Sequence, residues 1–214
     1  MKNERVLALA TGNAHKLREF DEILSPMGWM VRSIREWLPA VPEPEETEPD
    51  FPGNSALKAR FALAALRAAH SDRPLPEAVV ADDSGLSVDA LGGEPGVFSA
   101  RFAERAGNGS GDAANRAELV RRMREVGATE SDAAFHCAIH WTSLDGREIR
   151  VEGLCPGVVG LLERGSEGFG YDSLFRPRLS DGTISEGTFG ELSSEIKHAL
   201  SHRGDALRKL AAKL

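Results

Sequence analysis

The sequence predicts an α/β protein whose sheet is mixed and twisted and is flanked by helices. Short apolar runs such as residues 6–10 and 79–81 are typical of buried strands, and longer segments with helical spacing of apolar residues lie between them. The two kinds of segment do not alternate in a strict strand–helix–strand rhythm, so parallel and antiparallel pairs are both expected. At 214 residues, 41% hydrophobic and 28% charged, the chain fits one globular domain over residues 1–214, or two small lobes.

The first half begins with a strand, a turn and a helix. The apolar run 6–10 ends at Thr11-Gly12-Asn13, which indicates a buried strand and a tight turn. Apolar residues at positions 17, 20, 23 and 24 predict the helix that follows. Residues 41–52 hold four prolines and five acidic residues, and we predict a loop there. Asn54-Ser55 is the expected N-cap of the next helix.

The second half adds further strands and helices. Residues 79–81 predict a buried strand that ends at Asp82 to Gly85, and Asp112 is expected to cap a helix that runs to about residue 125. Residues 133–142 predict a strand, which the Asp145-Gly146 pair turns into a hairpin with 148–151. A loop and a strand are expected within 165–177. From Ser193 the chain is predicted to be helical, with a break at Gly204.

Charge and cysteine content exclude several classes of protein. Lys and Arg total 26 against 33 Asp and Glu, and the net charge of -7 argues against a nucleic-acid partner. Two cysteines are too few for a disulfide framework and lack the spacing of a zinc site. The apolar run 6–10 is too short for a signal peptide or a membrane span. We therefore expect a cytoplasmic protein that binds no membrane.

The turn after the first strand is a candidate phosphate site. A strand, a glycine-containing turn and a helix start present backbone N–H groups and a lysine, which suit triphosphate oxygens. The spacing is not that of a P-loop, and the alternative is an ordinary turn with a solvated lysine. The candidate residues are Thr11, Gly12, Asn13, Ala14, His15 and Lys16.

Two adjacent aspartates form a candidate metal and catalytic site. Asp82 and Asp83 follow the second buried strand, and carboxylates at the carboxyl end of a strand lie where α/β sheets bind ligands. With a glutamate from the acidic loop they have the chemistry to hold Mg²⁺, and one of them to deprotonate a water. The alternative is a turn in which the aspartates bond their own backbone, beside a loop that is merely solvated.

Two later segments suit a purine base. Phe169 lies between two glycines in Gly168 to Asp172, so its ring has room to stack on a base, although a core aromatic is the commoner outcome. Lys197, His202 and Arg203 are mainly hydrogen-bond donors, which favour a purine with oxo groups over adenine. The alternative is that they cap a helix end in water.

Taken in order, these motifs resemble the inosine/xanthosine triphosphate pyrophosphatase family, the Ham1-like enzymes that remove non-standard purine nucleotides. The resemblance covers residues 6 to about 210. It rests on six segments, Thr11-Gly12-Asn13-x-x-Lys16, Leu57-Lys58-Ala59, Ala81 to Leu86, Leu91-Gly92-Gly93-x-Pro95-Gly96, Gly168 to Asp172 and Ser201 to Gly204. It implies a mixed-sheet fold with two lobes around a central cleft, as in ITPase-like and Maf-like proteins. It also implies a homodimer and Mg²⁺-dependent release of pyrophosphate from ITP, dITP and XTP.

The resemblance also assigns roles to residues. Asp83 is implied to be the general base and a metal ligand with Glu46, although Glu45 is an alternative, and Asp82 lies beside them. The implied substrate contacts are residues 11–16, Lys58, Ser84, Phe169, Gly170, Tyr171, Asp172, Lys197, His202 and Arg203. The chain departs from the family pattern at Gly53, where a glutamate is usual, at Ser173, where proline is usual, and at Ile196, where a glutamate is usual.

Two other functions fit the same motifs. A pyrophosphatase for pyrimidine or other modified nucleotides shares the fold and mechanism, but the donor-rich residues 197, 202 and 203 match a purine with oxo groups. A regulator that binds a nucleotide without hydrolysing it needs no general base, so the intact Asp82 and Asp83 argue against it.

Overall fold

The fold is a mixed six-stranded sheet with helices, seen in a computed structural model that describes residues 5–69 and 73–214. The strands are β1 (Arg5–Leu9), β2 (Trp29–Ser33), β3 (Ala78–Val88), β4 (Glu130–Ser143), β5 (Glu148–Gly160) and β6 (Phe175–Pro177). The α-helices of the described ranges are α1 (Ala14–Leu24), α2 (Phe51–Ala68), α3 (Phe102–Arg105), α4 (Asp112–Glu125), α5 (Ser194–Leu200) and α6 (His202–Ala211). In these ranges no helix is both long and apolar enough to cross a membrane.

The sheet has the order β2-β1-β3-β4-β5-β6. β1 is parallel to both β2 and β3, whereas β5 and β6 are antiparallel, so the predicted mixed sheet is confirmed. The predicted hairpin is also present, because β4 and β5 are neighbours joined through the turn at 144–147. β2 was not predicted. It is only five residues long, with Trp29 and Val31 buried and Arg32 exposed, a weak pattern at that length.

The second predicted strand is much longer than its apolar core. β3 continues from Ala78 through both aspartates to Val88, so the prediction that it ends at Asp82 is wrong. Leu86 and Val88 are fully buried in the hydrophobic core, which explains why the strand extends beyond the polar motif. β1 pairs with β3 only as far as Val80, opposite Leu9. The turn that follows β1 therefore lies beside the part of β3 that carries the aspartates.

Three predicted helix boundaries are wrong. α2 begins at Phe51, capped by the side chain of Asp50, so Pro52 lies in the first turn, where its missing N–H costs nothing. The cap of α4 is Gly111, and Asp112 is the first helical residue. The C-terminal break falls at Ser201, whose backbone is extended, whereas Gly204 is inside α6.

The chain forms two compact units. The first comprises residues 1–83, 138–152 and 206–214, and the second comprises 84–137 and 153–205. The first contains a hydrophobic cluster of Ala8, Ile34, Trp37, Ala62, Leu63, Leu66 and Val79. The second contains a larger one built on Leu86, Val88, Phe102, Leu119, Met123, Phe135, Tyr171, Leu174, Phe175 and Phe189, among others. Two units agree with the implied two lobes, and the assignment of 1–214 as a single domain stays a prediction.

Candidate active site

The turn between β1 and α1 forms the predicted phosphate segment. Asn13 is the N-cap of α1, because its Oδ1 accepts from the N–H groups of His15 at 2.8 Å and Lys16 at 3.3 Å. Thr11 Oγ1 accepts from the N–H of Asn13. The N–H of Gly12 instead donates to Glu43 Oε1 at 2.8 Å. The side chain of Asn13 thus shapes the turn, and His15 is exposed at the start of the helix.

Two lysines neutralise the two aspartates in the first unit. Lys16 Nζ lies 3.0 Å from Asp82 Oδ2, and Lys58 Nζ lies 2.7 Å from Asp83 Oδ1. Lys58 also reaches Glu46 Oε1 at 3.0 Å. The predicted phosphate turn, the aspartate pair and the acidic loop therefore meet at one place. These contacts contradict the interpretation of Lys16 as a solvated lysine.

The register of the sheet explains this meeting. Because β1 ends opposite Val80, the turn that follows lies beside the next residues of β3, which are Ala81, Asp82 and Asp83. The N–H of Ala10 donates to the carbonyl of Val80 and closes the pairing. The aspartates are therefore placed by a strand that continues past its shorter neighbour. This is the carboxyl edge of β1, where parallel sheets bind ligands.

Burial changes the protonation of Asp83. The side chain is 7% exposed, and loss of solvation raises the pKa of its carboxyl to about 6, although the attraction of Lys58 opposes the shift. Burial lowers the pKa of Lys58, but Asp83, Asp82 and Glu46 outweigh it, so that the pKa is raised. Lys58 thus stays charged while Asp83 titrates near neutral pH, as a general base requires.

The carboxylates of the first unit fit a magnesium ion only in part. Asp83 Oδ2 is buried and accepts no hydrogen bond from the described residues, so this oxygen could coordinate a metal ion. Glu46 Oε1 is the second candidate oxygen, and it shares the Lys58 ammonium with the other oxygen of Asp83, Oδ1. Glu45, the alternative, is exposed. Among residues 5–69 and 73–214, no group of three or more acidic, His or Cys side chains has the arrangement to hold a metal ion.

The glycine at position 53 has a local structural cause. The N–H of Gly53 donates to Asp50 Oδ1 at 2.7 Å, as part of the cap of α2. A Cβ at this position would lie 2.7 Å from Cβ of Glu48 and 3.0 Å from Asp50 Oδ1. Any side chain would push the acidic loop away, so this chain cannot supply a glutamate ligand here without moving the loop.

The second unit holds the predicted base-binding residues together. Phe169 is partly exposed, with Lys197 Nζ 5.0 Å and Arg203 Cζ 5.7 Å from the centre of its ring. Both cations are buried. The alternative that these residues cap a helix end in water is therefore wrong, as is the alternative of a core aromatic for Phe169. One aromatic face and two cationic donors form a surface suited to a base.

The loop that carries Phe169 is fixed by Asp172. Its Oδ2 accepts from the N–H of Phe169 at 2.8 Å and from Lys197 Nζ at 2.9 Å. Gly168 has a φ of 78°, and a Cβ there would collide with Asp172 Oδ2. Gly170 is held by Asp112 Oδ2, which accepts its N–H at 2.7 Å. Asp172 therefore fixes the backbone at Phe169 and positions Lys197.

Three further predicted contacts are buried or internally bonded. The Tyr171 hydroxyl donates to the carbonyl of Ser99 at 2.8 Å and its ring belongs to the core, so only its backbone can touch a base. The His202 ring stacks on Phe135 with centroids 4.8 Å apart. Ser84 Oγ accepts from Arg203 Nη2 at 2.8 Å. Ser84 thus orients Arg203.

Comparison with known proteins decides the family. The model of the Ham1 family matches residues 7–213, nearly the whole chain. This chain belongs to the Ham1 family. Within the family, it is 41% identical over 209 residues to the dITP/XTP pyrophosphatase of Exiguobacterium sibiricum, covering 97% of this chain and 96% of that protein. It is 39% identical over 204 residues to the dITP/XTP pyrophosphatase of Bacillus subtilis, covering 95% and 93%.

Solved Ham1 structures share the fold. A HAM1 protein from Coxiella burnetii superposes with a TM-score of 0.78 at 31% identity, over 97% of this chain and 96% of that one. A nucleoside-triphosphatase, dITP/XTP pyrophosphatase, from Mycobacterium abscessus gives a TM-score of 0.68 at 36% identity, over 98% of both chains. The resemblance to the Ham1-like enzymes is therefore confirmed.

Sequence reasoning missed four residues that shape the site of this Ham1 protein. Asp112 and Arg116 hold Gly170, whose carbonyl accepts from Arg116 Nη1 at 3.0 Å. Arg35 and Glu43 lie against Gly12. The acidic loop was a signal for Glu43. Arg35 had no such signal, because it follows a strand that was not predicted.

Proposed function

We propose that this Ham1 family protein hydrolyses dITP, XTP and ITP to the nucleoside monophosphate and pyrophosphate. The observation that carries the proposal is the buried Asp83 carboxyl, paired with Lys58 next to the turn that follows β1. The two relatives described above bear the name dITP/XTP pyrophosphatase, and they match almost the full length of the chain.

The first unit would supply the reacting groups. Asp83, with a pKa near neutrality, would take the proton of a water that attacks the α-phosphorus, and pyrophosphate would leave. Lys16 and Lys58 would neutralise the charge of the phosphates as their aspartate partners turn to other ligands. Mg²⁺, when bound, would neutralise phosphate charge and polarise the reacting oxygens. Asp83 and Glu46 are the residues that would hold it.

The second unit would recognise the base. The ring of Phe169 offers a stacking face, and Lys197 and Arg203 present donors beside it. Donors pair with the oxo groups of hypoxanthine and xanthine, whereas the 6-amino group of adenine would leave them without acceptors. The base would thus be selected by the hydrogen-bonding character of the site rather than by size.

We also propose that the protein is a cytoplasmic homodimer. Both cysteines, Cys137 and Cys155, are free and buried, as suits a reducing compartment. Leu154 is 50% exposed and Leu162 is 76% exposed, and a second copy is a natural cover for such apolar side chains. Light scattering on the purified protein should give twice the chain mass of 23.0 kDa.

The position of bond cleavage tests the reaction. Hydrolysis of XTP in ¹⁸O-labelled water should place the label in the monophosphate, because the attack is at the α-phosphorus. The pyrophosphate should carry none. Label in inorganic phosphate, with a diphosphate as the other product, would mean attack at the γ-phosphorus and would overturn the proposal.

A further inference from the structure

The turn after β1 already holds an anion, a carboxylate of the protein itself. The N–H of Gly12 donates to Glu43 Oε1 at 2.8 Å, and the two residues are 31 positions apart. The hydrogen bonds that define the turn are local, because they join Asn13 to Thr11, and His15 and Lys16 to Asn13. The partner of Gly12 is therefore the one that can be exchanged while the turn keeps its shape.

Arg35 lies beside the same contact. A Cβ built on Gly12 would be 2.6 Å from Glu43 Oε1 and 3.0 Å from Arg35 Nη2, so both side chains close over the glycine. Across residues 5–69 and 73–214 the guanidinium of Arg35 makes no ion pair. Arg35, Glu43 and Lys58 line one cavity together with Thr11. The N–H of Gly12 and the guanidinium of Arg35 thus lie beside the place where this carboxylate sits, and Lys58 lines the same cavity.

The backbone aims Glu43 at this place. Pro42 and Pro44 flank it, and each proline restricts the conformation of its own residue and of the residue before it. A backbone restricted in this way has less conformational freedom to lose when Glu43 is held at Gly12, which favours the contact. Carboxylate and phosphate oxygens use the same donors, N–H groups and guanidinium ions.

We propose that Glu43 is an internal competitor for the phosphate chain of the substrate, and that Arg35 is a phosphate-binding residue. A polyphosphate would displace the carboxylate from the N–H of Gly12 and take Arg35 as its counter-ion. The inference rests on the proposed function, since it places the triphosphate at this turn. It predicts larger effects at Glu43 and Arg35 than the same charge changes produce at nearby positions, a difference that the general electrostatics of the surface would not give.

The test measures the affinity of the full chain for inorganic tripolyphosphate by calorimetry at fixed Mg²⁺. E43Q weakens the competing contact, and affinity should rise about three- to tenfold, since the competent form is then more populated. R35Q removes a cation from the bound state, and affinity should fall by a similar factor, about three- to tenfold. Two matched controls make the same charge changes nearby. E48Q lies in the same loop and R32Q in β2, both exposed, and each should stay within about twofold.

Each outcome decides. Tighter binding by E43Q alone and weaker binding by R35Q alone support the inference, whether or not the wild-type affinity is high. Equal effects of E43Q and E48Q on the affinity would overturn the inference. An unchanged affinity in E43Q or in R35Q would overturn it as well. XTP hydrolysis by the wild-type chain is measured separately. If XTP is hydrolysed but the variants bind tripolyphosphate with equal affinity, only this inference is contradicted. If the affinities differ as expected but XTP is not hydrolysed, only the proposed function is contradicted.

Discussion

At the scale of single residues, the chemistry depends on the competition between burial and charge at Asp83. Burial favours the neutral carboxyl, whereas Lys58 at 2.7 Å favours the ion. The balance leaves a carboxyl that titrates near pH 6 beside a lysine that stays charged. A base with an ordinary aspartate pKa would bind a proton too weakly to be effective at neutral pH.

The first prediction concerns the loss of this base. D83N should lower kcat by about 10²- to 10⁴-fold, the usual contribution of a general base, while the circular dichroism spectrum stays that of the wild type. D21N, on an exposed position of α1, removes the same charge elsewhere and should keep kcat within about twofold. Steady-state kinetics with XTP would measure both. A D83N enzyme with near-normal turnover would show that another group is the base.

The raised pKa also predicts how stability depends on pH. The folded state holds the Asp83 proton up to about pH 6, whereas an ordinary aspartate loses it near 3.8. The folded protein therefore binds more protons between these values, and this stabilisation, complete below about pH 4, is lost as the pH rises through 6. As the pH rises from about 4 to about 6 in metal-free buffer, the melting temperature of the wild type should fall relative to that of D83N. A constant difference between the two would contradict the raised pKa.

Residues with a distinctive motif were predicted from the sequence, and their partners were not. Lys58 and Asp83 were both assigned to the site from the family motifs, but the ion pair between them was not predicted. The contact of Glu43 with Gly12 has no motif and depends on how a proline-rich loop folds back. Tyr171 is one of the substrate contacts that the resemblance implies, and its side chain lies in the core, so a contact would have to come from its backbone. Neighbours in a motif need not point the same way.

At the scale of elements, the site depends on one strand that outruns its neighbour and on one tight loop. β3 continues beyond the end of its pairing with β1, which leaves its aspartates beside the turn. In the second unit, the loop from Gly168 to Asp172 closes on a single carboxylate oxygen. Both devices are backbone features that position side chains.

The tight loop leads to the third prediction. G168A combines a left-handed φ of 78° with a Cβ that collides with Asp172, and should cost about 2 kcal/mol of unfolding free energy. G182A has a similar φ of 87° and nothing near its Cβ, so it should cost only about 1 kcal/mol. Urea denaturation would measure both. G168A should also raise KM for XTP, since Phe169 loses its support, and equal costs for the two variants would contradict the close contact.

The sequence predicted which elements exist better than where they end. An apolar run identified β1, helical spacing identified α1, and partial alternation with the Asp145-Gly146 turn identified the β4–β5 hairpin. The start of α2 was missed because Pro52 suggested a loop, although proline is favoured in a first turn. β3 was cut short because polar residues inside a strand resemble a turn, and only its pairing and burial reveal the continuation. These boundaries are decided by tertiary contacts, which a local pattern does not contain.

At the scale of the whole molecule, the chain divides its chemistry between two units. The boundary falls between Asp83 and Ser84, inside β3. The phosphate turn, the lysine–aspartate pairs and the acidic loop belong to the first unit, whereas the aromatic ring and its two cations belong to the second. Because the motifs of both units occur in the family's order along nearly the full length, the sequence indicated the family. Each motif alone had an ordinary structural explanation.

The measurement that tests the central claim most directly is release of pyrophosphate from XTP, dITP, ITP, GTP, ATP and dUTP, each with and without Mg²⁺. We predict strong, Mg²⁺-dependent release from XTP, dITP and ITP, with little from GTP, ATP or dUTP. Comparable release from ATP would contradict recognition by the donors beside Phe169, and release from dUTP alone would move the enzyme to pyrimidine substrates. No release from any of the six nucleotides would contradict the proposal of an enzyme and leave a nucleotide-binding protein in its place.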